Sequence, residues 1–415
     1  MSIAKAKVSS LAELNANPFK NKKNYPQLQY LDTGSVTKGS FDEFQVLDTQ
    51  KDKIPSRAQR AVKKGTIVIS TVRPAQEHYG YFENPADNII VSSGFVTVDA
   101  DETKVDSRYL YYILTQPSTV AYLSSIASTS VSSYPSYNPD DLGNYEVEYE
   151  TDLNKQKQIA SVLYNINHKI ELNNSICTDL EAMSKQIYDY WFVQFDFPDE
   201  NGKPYKSSGG KMVWNEAINL QIPEKWDVKT ISAECDVLLG GTPDTERAEY
   251  WNGNIPWLNS GEVANSPVIC SEKTITKLGM NNSSTSFAKA GAAVMSITRY
   301  IRPAILGIDA CFNQSVVAVI PTEQIHTAFI YPLLKSNVNK YLVLRTGAQQ
   351  PHINKDIVEQ TLFVRPNDKV LKEYYQRVEP LYKQQLNTAK ETQTLINLRD
   401  FLLPMLLNGQ IKIGE

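Results

Sequence analysis

This sequence has no hydrophobic run long enough to span a membrane. A transmembrane helix needs about 20 consecutive apolar residues, and no segment of the 415-residue chain approaches that length. The stretch up to Phe19 also has no apolar core of the kind found in secretory signal peptides. These absences lead us to expect a cytoplasmic protein with no membrane partner.

Cysteine and histidine, the side chains that most often bind transition metals, are scarce. The 4 cysteines stand far apart and form no CxxC pair, so free thiols are expected instead of a disulfide framework or a zinc site. The 4 histidines show no HExxH spacing. We therefore expect no bound metal and no cofactor.

The chain also has no complete catalytic motif. The segment "GGTPDT" from Gly240 lacks the GK[ST] of a phosphate-binding loop, and no GxSxG is present. "NPDD" at Asn138–Asp141 lacks the second proline and the aromatic residue of an amino-methyltransferase motif. "PDE" at Pro198–Glu200 is not followed by the second half of a nuclease motif. These gaps favour a non-catalytic recognition protein over a stand-alone nuclease or methyltransferase.

The charge distribution is uneven along the chain. The net charge of −4 disfavours binding to nucleic acid, yet residues 1–75 carry an excess of lysine and arginine while residues 76–150 are acidic. A basic face of this kind can hold a phosphate backbone. It can equally be an ordinary solvated surface, which charge alone favours.

The most informative feature present is an internal repeat. "YLDTGSV" at Tyr30–Val36 returns as "WLNSGEV" at Trp257–Val263. "GTIVISTVRP" from Gly65 returns as "GAAVMSITRYIRP" from Gly291, which pairs Arg73 with Arg299. "YPSYNPDDL" matches "QPHINKDIV" later in each half, with Pro135 against Pro351 and Asn138 against Asn354. Matches in the same order predict a duplicated unit of a little over two hundred residues.

Each half reads first as strands broken by turns and then as a long helix. The first helix is predicted from Leu153 to about Trp191, with Asn173 as a buried polar interruption of its apolar stripe. The second is predicted from about Pro380 to Leu407, with Pro380 in the first turn after a break. The first stripe has mostly three- and four-residue steps, typical of a coiled-coil seam, and includes Met183. The stripe of the second helix consists of Leu381, Leu386, Leu395, Leu398 and Leu402.

The predicted fold class is α+β, with two mixed α/β domains joined by two long helices that form an antiparallel coiled coil and an internal pseudo-twofold repeat. The predicted divisions are residues 1–150, 151–195, 196–366 and 367–415, of which the second and fourth are helical. The alternative is that each amphipathic helix packs on its own domain.

Four segments carry a resemblance to a known family. They are "GGTPDTERAEYWNGNIPWLNSGEV", "KPYKSSGGKMVWNEAINLQIPEKWDV", the central "KQKQIASVLYNINHKIELNNSICTDLEAMSKQIYDYWF" and the terminal "LRDFLLPMLLNGQIKI". In this order they resemble the specificity subunit of type I restriction-modification systems over nearly the whole chain.

The resemblance implies a DNA-binding adaptor without catalytic residues. Each of two target recognition domains would read one half of a bipartite, asymmetric sequence in double-stranded DNA, with the helix pair as a ruler. Two copies of an adenine-N6 methyltransferase subunit, and ATP-driven motor-nuclease subunits in the restriction complex, would supply the chemistry. The first half has no counterpart of "GGTPDTERAEYW", which indicates that the two domains have diverged.

Candidate DNA contacts lie in the loops that follow matched strands, because direct readout needs polar side chains that reach base edges. In the first half they are Arg73, Gln76, His78, Tyr79, Ser133, Tyr134, Ser136 and Tyr137. In the second half they are Arg299, Tyr300, Arg302, Gln349, Gln350 and His352. Three more, Thr242, Thr245 and Arg247, lie in "GGTPDTERAEYW", residues 240–251, which we call the entry segment. Lys63 and Lys64 are candidates for phosphate contacts.

Other polar and aromatic residues have simpler explanations. Tyr250, Trp251 and Trp257 are expected to anchor the entry segment in the core instead of stacking on bases. Asn313 and Gln314 stand at the start of a predicted strand, where they can bond to the backbone. The remaining alternative for the whole chain is a coiled-coil scaffold whose β-rich domains bind a sugar or a peptide.

Overall fold

The computed structural model describes residues 2–20, 22–130 and 134–411. The chain forms two compact units, Met1–Lys169 with Leu395–Glu415 (unit 1) and Ile170–Thr394 (unit 2). Each of the two long helices contributes residues to both units. None of the helices in the described part of the chain is long and apolar enough to cross a membrane.

Unit 1 contains twelve strands among its described residues. They are β1 Ile3–Lys7, β2 Ala12–Leu14, β3 Gln27–Leu31, β4 Val36–Thr37, β5 Ser40–Phe41, β6 Gln45–Asp48, β7 Ala58–Ala61, β8 Ile67–Ser70, β9 Tyr79–Tyr81, β10 Ile89–Ser92, β11 Phe95–Ala100 and β12 Glu146–Glu150. Its helices are α1 Val8–Leu11, α2 Ser107–Leu114, α3 Pro117–Ser128, α4 Pro139–Gly143 and the first part of α5 Leu153–Tyr188.

The strands of unit 1 form two four-stranded sheets in the orders β2-β11-β8-β9 and β6-β3-β10-β7. Strands β3 and β10 are parallel, and the neighbouring pairs are antiparallel. Every residue of β8 is buried, as expected for an apolar strand covered on both faces. Strand β1 pairs separately with β12, which brings the start of the unit beside the strand that leads into α5.

Unit 2 continues the same series of elements. Its strands are β13 Met212–Asn215, β14 Leu220–Pro223, β15 Asp227–Thr230, β16 Val237–Leu239, β17 Trp251–Leu258, β18 Lys273–Ile275, β19 Ser286–Ala288, β20 Ala293–Ser296, β21 Arg302–Ile305, β22 Ala310–Phe312, β23 Val316–Val319 and β24 Leu362–Arg365. Its helices are α6 Ile231–Glu234, α7 Lys277–Asn281, α8 Thr327–Ser336, α9 Val338–Val343, α10 Lys355–Glu359 and the first part of α11 Asp368–Leu407.

The sheets of unit 2 repeat the order found in unit 1. The orders are β16-β23-β20-β21 and β18-β17-β22-β19, with β17 and β22 parallel and β15 paired with β24. Every sheet position has its counterpart in unit 1, and β20, like β8, is buried throughout. The internal repeat predicted from short sequence matches is therefore confirmed as a repeat of strand order. Outside these matched sheets, and among the described residues, the pair β4–β5 in unit 1 and the hairpin β13–β14 in unit 2 have no counterpart in the other unit.

The two long helices run antiparallel within each unit. In unit 2 the Nδ2 of Asn173 donates to Oε2 of Glu391 at 3.0 Å, and the Sγ of Cys177 lies 3.6 Å from the carbonyl oxygen of Gln385. In unit 1 an Nη1 of Arg399 donates to Oδ1 of Asn167 at 3.3 Å. Asn173 is 1% exposed, which confirms it as a buried polar residue of the seam.

The predicted start of the second helix at Pro380 is wrong. Helix α11 begins at Asp368 and passes through Pro380, which is exposed. A proline inside a helix costs about 3 kcal/mol, but the turns before it bury Leu371, Tyr374 and Val378 in the core of unit 2. That apolar burial outweighs the local cost. Along the stripes, Met183 and Leu398 are 50% and 43% exposed, so these two do not belong to the seam.

Candidate nucleic-acid interface

In unit 1 the turn after β8 packs against the loop before α4. Arg73 has a left-handed backbone with φ 49°, and its N–H donates to the carbonyl of Pro135 at 2.9 Å. The N–H of Tyr137 donates back to Thr71 at 3.1 Å, and Val72 and Ser136 form an antiparallel bridge. We call this part of unit 1, residues 71–76 with 134–137, corner 1.

Unit 2 contains the same arrangement in residues 297–299 with 351–353. We call this part of unit 2, residues 297–302 with 345–353, corner 2. Arg299 has φ 62° and donates its N–H to the carbonyl of Pro351 at 2.8 Å. The N–H of Ile353 donates to Ile297 at 3.0 Å, and Thr298 bridges His352. A left-handed conformation at a non-glycine residue costs roughly 1–2 kcal/mol. Both units therefore hold an arginine in a strained backbone conformation at the matched position.

Matched polar residues support both corners. Ser70 and Ser296 are buried, and each hydroxyl donates to the carbonyl two residues later, at 2.9 Å and 3.4 Å. After each corner an asparagine begins a short helix: Asn138 precedes α4 and Asn354 precedes α10. The Oδ1 of Asn354 accepts from the N–H of Ile357 at 3.0 Å. These serines and asparagines recur in the sequence because they hold the backbone.

The side chains around corner 1 have different environments. Arg73 is exposed and its guanidinium lies 4.8 Å from the ring centre of Tyr134, which is 57% exposed. Gln76 is exposed. The Nδ1 of His78 donates to the carbonyl of Val36 at 2.6 Å, which fixes that ring.

Two tyrosines near corner 1 face the interior to different degrees. Tyr79 is half-buried, and burial together with the charge of Glu77 raises the pKa of its hydroxyl to about 12. Tyr137 is 4% exposed and belongs to the core of unit 1, so it was wrongly predicted as a DNA contact. Like Ile353 in corner 2, it follows the bridging residue and points inward. Burial also raises the pKa of Tyr137. Ser133, another candidate, lies outside the described residues.

The side chains of corner 2 are more exposed. Tyr300 is 63% exposed, and the guanidinium of Arg302 lies 4.5 Å from its ring centre. Gln349, Gln350 and His352 are exposed as well. The Nδ1 of His352 donates to the carbonyl of Gln350 at 3.1 Å, so the imidazole caps its own loop.

Arg345 is a residue of corner 2 that the sequence did not reveal. Its Nη1 donates to the carbonyl of Arg299 at 3.2 Å, and its Nε donates to the carbonyl of Leu342 at 3.0 Å. It thereby ties the end of α9 to the strained turn. No sequence signal marks it, because an isolated arginine after a helix has no motif of its own.

The entry segment of unit 2 is held by close backbone packing and by two tryptophans. A Cβ on Gly240 would lie 2.2 Å from the carbonyl oxygen of Asn313, and one on Gly241 would meet the backbone of Ser284 at 2.5 Å. The Nε1 of Trp257 donates to the carbonyl of Gly241 at 3.1 Å, and the Nε1 of Trp251 donates to the backbone carbonyl of Asp244 at 3.0 Å. The paired glycines are therefore packing positions, and the tryptophans anchor the segment as predicted.

Two of the polar candidates in this segment already have side-chain partners within the protein. The hydroxyl of Thr242 donates to Oε1 of Gln314 at 2.6 Å. The Nε of Arg247 lies 3.8 Å from Oδ2 of Asp244, and its Nη1 donates to the hydroxyl of Tyr250 at 3.0 Å. Thr245 is exposed. Of the two residues expected to bond locally, Asn313 accepts from the N–H of Ser315 at 3.0 Å.

The corner arginines differ electrostatically from four other arginines of the chain. Among the described residues, no carboxylate lies within 4.0 Å of Arg73, Arg299 or Arg302. Arg247 has such a partner, as do Arg108, Arg365 and Arg399. Lys63 and Lys64 are exposed, and the Nζ of Lys63 lies 4.0 Å from Asp99. Charges without an internal partner are available to an external acceptor.

The thiols have no comparable role. All four cysteines are free, as predicted. Burial raises the pKa of Cys235 to about 12 and that of Cys311 to about 11, so neither forms a thiolate at neutral pH. Within the described part of the chain, no group of three or more His, Cys, Asp or Glu side chains is arranged to hold a metal ion.

Known proteins match this chain over most of its length. The family model "Type I restriction modification DNA specificity domain" matches residues 4–182 and 223–397. The HindI specificity subunit of Haemophilus influenzae is 23% identical to this chain, and the match covers 93% of this chain and 95% of the HindI subunit. The MjaIX specificity subunit of Methanocaldococcus jannaschii is 24% identical, covering 86% of this chain and 80% of its own.

A solved structure agrees in fold. The S subunit of a type I restriction-modification system from M. genitalium has a TM-score of 0.58 at 17% identity, covering 98% of this chain and 96% of its own. The two family matches contain the two corners, one each, and together span most of the sequence. The chain therefore belongs to the type I restriction-modification DNA specificity family and is a DNA-recognition subunit.

Proposed function

We propose that each unit reads one half of a bipartite target in double-stranded DNA, mainly through its corner. The observation that carries this proposal is the duplicated backbone with unlike side chains. Both corners hold a strained arginine by the same hydrogen bonds, yet the exposed residues around them differ. A common frame with divergent contacts suits two domains that recognise different sequences.

The two kinds of polar residue have separate roles in this proposal. Exposed residues at the corners, chiefly Arg73, Gln76, Arg299, Arg302 and Gln349, reach base edges. Lys63 and Lys64 contact phosphates, which position the protein on the duplex without reading its sequence. Arg247 contributes less, because Asp244 and Tyr250 already engage it.

The long helices bind the partner subunits. Exposed apolar residues occupy matched places near the ends of α5 and α11: "LEAM" ends in Met183, 50% exposed, and "LRDF" ends in Phe401, 61% exposed. One residue at this matched place in each unit suits two copies of one methyltransferase subunit. Methyl transfer, and cleavage by motor-nuclease subunits, belong to those partners, and this chain carries no catalytic residue.

The direct test is to map methylated adenines in cells that express the chain with its methyltransferase subunits. The expected result is one bipartite motif with a fixed spacer. A control strain expresses the methyltransferase subunits alone and should show no motif. Methylation without a two-part motif, or its persistence in the control strain, would refute the proposal.

A domain exchange tests the assignment of half-sites. Residues 1–150 are replaced by the corresponding segment of a relative with another specificity. The expected change is confined to one half of the motif, while the other half and the order of the two are kept. Alteration of both halves would contradict the one-domain, one-half-site arrangement.

Substitution of the exposed apolar residues tests the docking surface. Met183→Ser and Phe401→Ser are each expected to lower the number of methyltransferase subunits bound from two to one, measured by native mass spectrometry. Val46→Ser is the control, because Val46 is 59% exposed but lies on β6, away from the helices. If a variant that carries both Met183→Ser and Phe401→Ser still binds two methyltransferase subunits, these residues are not part of the docking surface.

A further inference from the structure

Each corner carries one exposed arginine whose guanidinium stacks on an exposed tyrosine. Arg73 lies over Tyr134 at 4.8 Å and Arg302 lies over Tyr300 at 4.5 Å. The rings are 57% and 63% exposed. A stacked guanidinium keeps its N–H groups in the plane, directed away from the ring, and loses rotational freedom before any ligand arrives. Both arginines are therefore pre-oriented donors of paired hydrogen bonds.

The charge of each stacked arginine has no carboxylate partner within 4.0 Å among the described residues. Near corner 1, the carboxylate of Glu77 pairs instead with Lys38 at 2.7 Å. Arg247 offers a contrast in unit 2: it also lies over a tyrosine, Tyr250, at 5.4 Å, but Asp244 faces its guanidinium. Stacking alone is thus not distinctive. Among the described residues, an arginine without a carboxylate lies over an exposed tyrosine at both corners, whereas Arg377, which also has no carboxylate within 4.0 Å, lies over the buried Trp191.

The two stacked pairs do not come from matched sequence positions. The repeat aligns Arg73 with Arg299, but the tyrosine of corner 2 lies under Arg302. The carbonyl of Arg299 is instead held by Arg345. Tyr134 belongs to the loop before α4, whereas Tyr300 belongs to the turn before β21. The same arrangement is therefore built from different residues in the two units, which indicates that the arrangement itself has a use.

We propose that Arg73 and Arg302 are the principal specificity residues of their domains, and that each donates two hydrogen bonds to O6 and N7 of a guanine in the major groove. This inference rests on the proposed function. Guanine is the base whose major-groove edge offers two adjacent acceptors to a guanidinium fork. Each half-site accordingly contains a G·C pair. Arg299, with its backbone fixed by Pro351 and Arg345, supports the reading arginine of corner 2.

The experiment uses the full chain in complex with its methyltransferase subunits. The target is first recovered from a library of random duplexes. Every guanine of that target is then replaced, one at a time, by 7-deazaguanine, which lacks the N7 acceptor. The wild-type complex is expected to lose affinity roughly tenfold or more at one guanine in each half-site, the effect of losing a hydrogen bond to a charged group.

Substitutions identify the arginine responsible for each effect. Arg73→Ala is expected to abolish the 7-deazaguanine effect in one half-site and leave the other unchanged, and Arg302→Ala should do the converse. Arg73→Lys and Arg302→Lys keep the positive charge but not the planar fork, so they should lose the same discrimination. Arg108→Ala is the matched control, because Arg108 also lies over a tyrosine, Tyr81, but pairs with Glu83 and is not a candidate DNA contact; it should change neither half-site. Thermal unfolding checks that each variant is folded.

The outcomes separate this inference from the proposed function. If the library yields no bipartite sequence, the proposed function fails. If a bipartite sequence is recovered but one half contains only A·T pairs, the guanine assignment is wrong. It is also wrong if Arg73→Ala and Arg302→Ala weaken binding to all duplexes equally and lower the salt dependence by about one phosphate contact.

Discussion

The two corners have the same backbone and different supports. In corner 1 the strained turn at Arg73 is accompanied by the stacking of its own side chain on Tyr134. In corner 2 the equivalent Arg299 has its carbonyl bound by Arg345, and the stacked pair is formed by Arg302 and Tyr300. The hydrogen bonds to Pro135 and Pro351 are nearly identical in length. The main-chain geometry is thus the same in both units, whereas the side chains around it differ.

This difference explains how one fold can carry two specificities. The left-handed turn, the buried serine and the capping asparagine depend on backbone bonds that are insensitive to the exposed residues. Exposed positions can then change with little effect on stability, since surface substitutions usually shift it by less than about 0.5 kcal/mol. The comparison of units 1 and 2 can be tested by breaking matched features in turn.

The largest expected effect is a loss of stability, and it compares a tightly packed glycine of unit 2, Gly240, with an unpacked glycine of unit 1, Gly34. In Gly240→Ala the new methyl group would meet the carbonyl oxygens of Asn313 and Phe312 at 2.2 and 2.3 Å, so the free energy of unfolding should fall by about 3 kcal/mol or more. A Cβ added at Gly34 would have no atom within 4 Å, so Gly34→Ala should change the free energy of unfolding by less than about 0.5 kcal/mol. Urea unfolding followed by circular dichroism measures both. Equal losses would contradict this difference.

The second prediction compares one buried tyrosine from each unit. The hydroxyl of Tyr109 accepts from the N–H of Glu150 at 3.0 Å, so Tyr109→Phe leaves a buried donor unpaired and should cost about 1–3 kcal/mol. Tyr341 shares a bond with the hydroxyl of Thr361, which also donates to Ile357. Tyr341→Phe should therefore cost less, about 0.5–1.5 kcal/mol. Hydrogen exchange resolves the two units.

The same tyrosines make both units sensitive to alkali. Burial raises the pKa of Tyr109 and of Tyr341 to about 12, above the ordinary value of 10.0. Their stabilising contribution is full below pH 10 and is lost as the pH rises from about 10 to 12, because the unfolded chain ionises first. Each Phe variant should flatten this pH dependence in its own unit only. The five tryptophans all lie in unit 2, so their fluorescence reports that unit alone.

The third prediction concerns the support that only corner 2 has. Arg345→Ala removes the hydrogen bond to the carbonyl of Arg299 and should reduce discrimination at one half-site by about 2- to 12-fold, the effect of one ordinary hydrogen bond. Competition binding with single-base mismatches measures it. The other half-site serves as the internal control, and a loss at both would show that Arg345 acts on the whole protein.

The smallest effect is expected from matched lysines before β8 and β20. Lys289 has no carboxylate within 4.0 Å among the described residues, whereas Lys63 lies 4.0 Å from Asp99. If both contact phosphates, Lys289→Ala should lower the slope of log affinity against log salt by about 0.9. Lys63→Ala should lower it by less. A larger change in slope for Lys63→Ala than for Lys289→Ala would contradict the proposal that Lys289 contributes more to phosphate binding.

The sequence predicted the family, the repeat and the helical seam, because these depend on patterns that many residues share. It placed the αL arginine turns at Arg73 and Arg299 in matched positions without revealing their backbone strain. The prediction failed at Tyr137 because the sequence does not show which side chains of a loop face inward. That is decided by the bridge between Ser136 and Val72, which turns the next residue, Tyr137, toward the core. It failed at Pro380 because local propensity was outweighed by the burial of Tyr374 and its neighbours. It missed Arg345 because its partner lies 46 residues away.

By itself, the sequence determined that this chain is a duplicated recognition protein, because apolar periodicity and repeated Ser, Pro and Asn positions specify one set of strands and turns twice. Only the tertiary structure decided which arginines stack on tyrosines and which are neutralised by carboxylates. Those pairings join residues that are distant in the chain, as Arg73 and Tyr134 are, and no local pattern encodes them. Spatial proximity therefore distinguishes, among many polar loop residues, the few whose charge has no carboxylate partner.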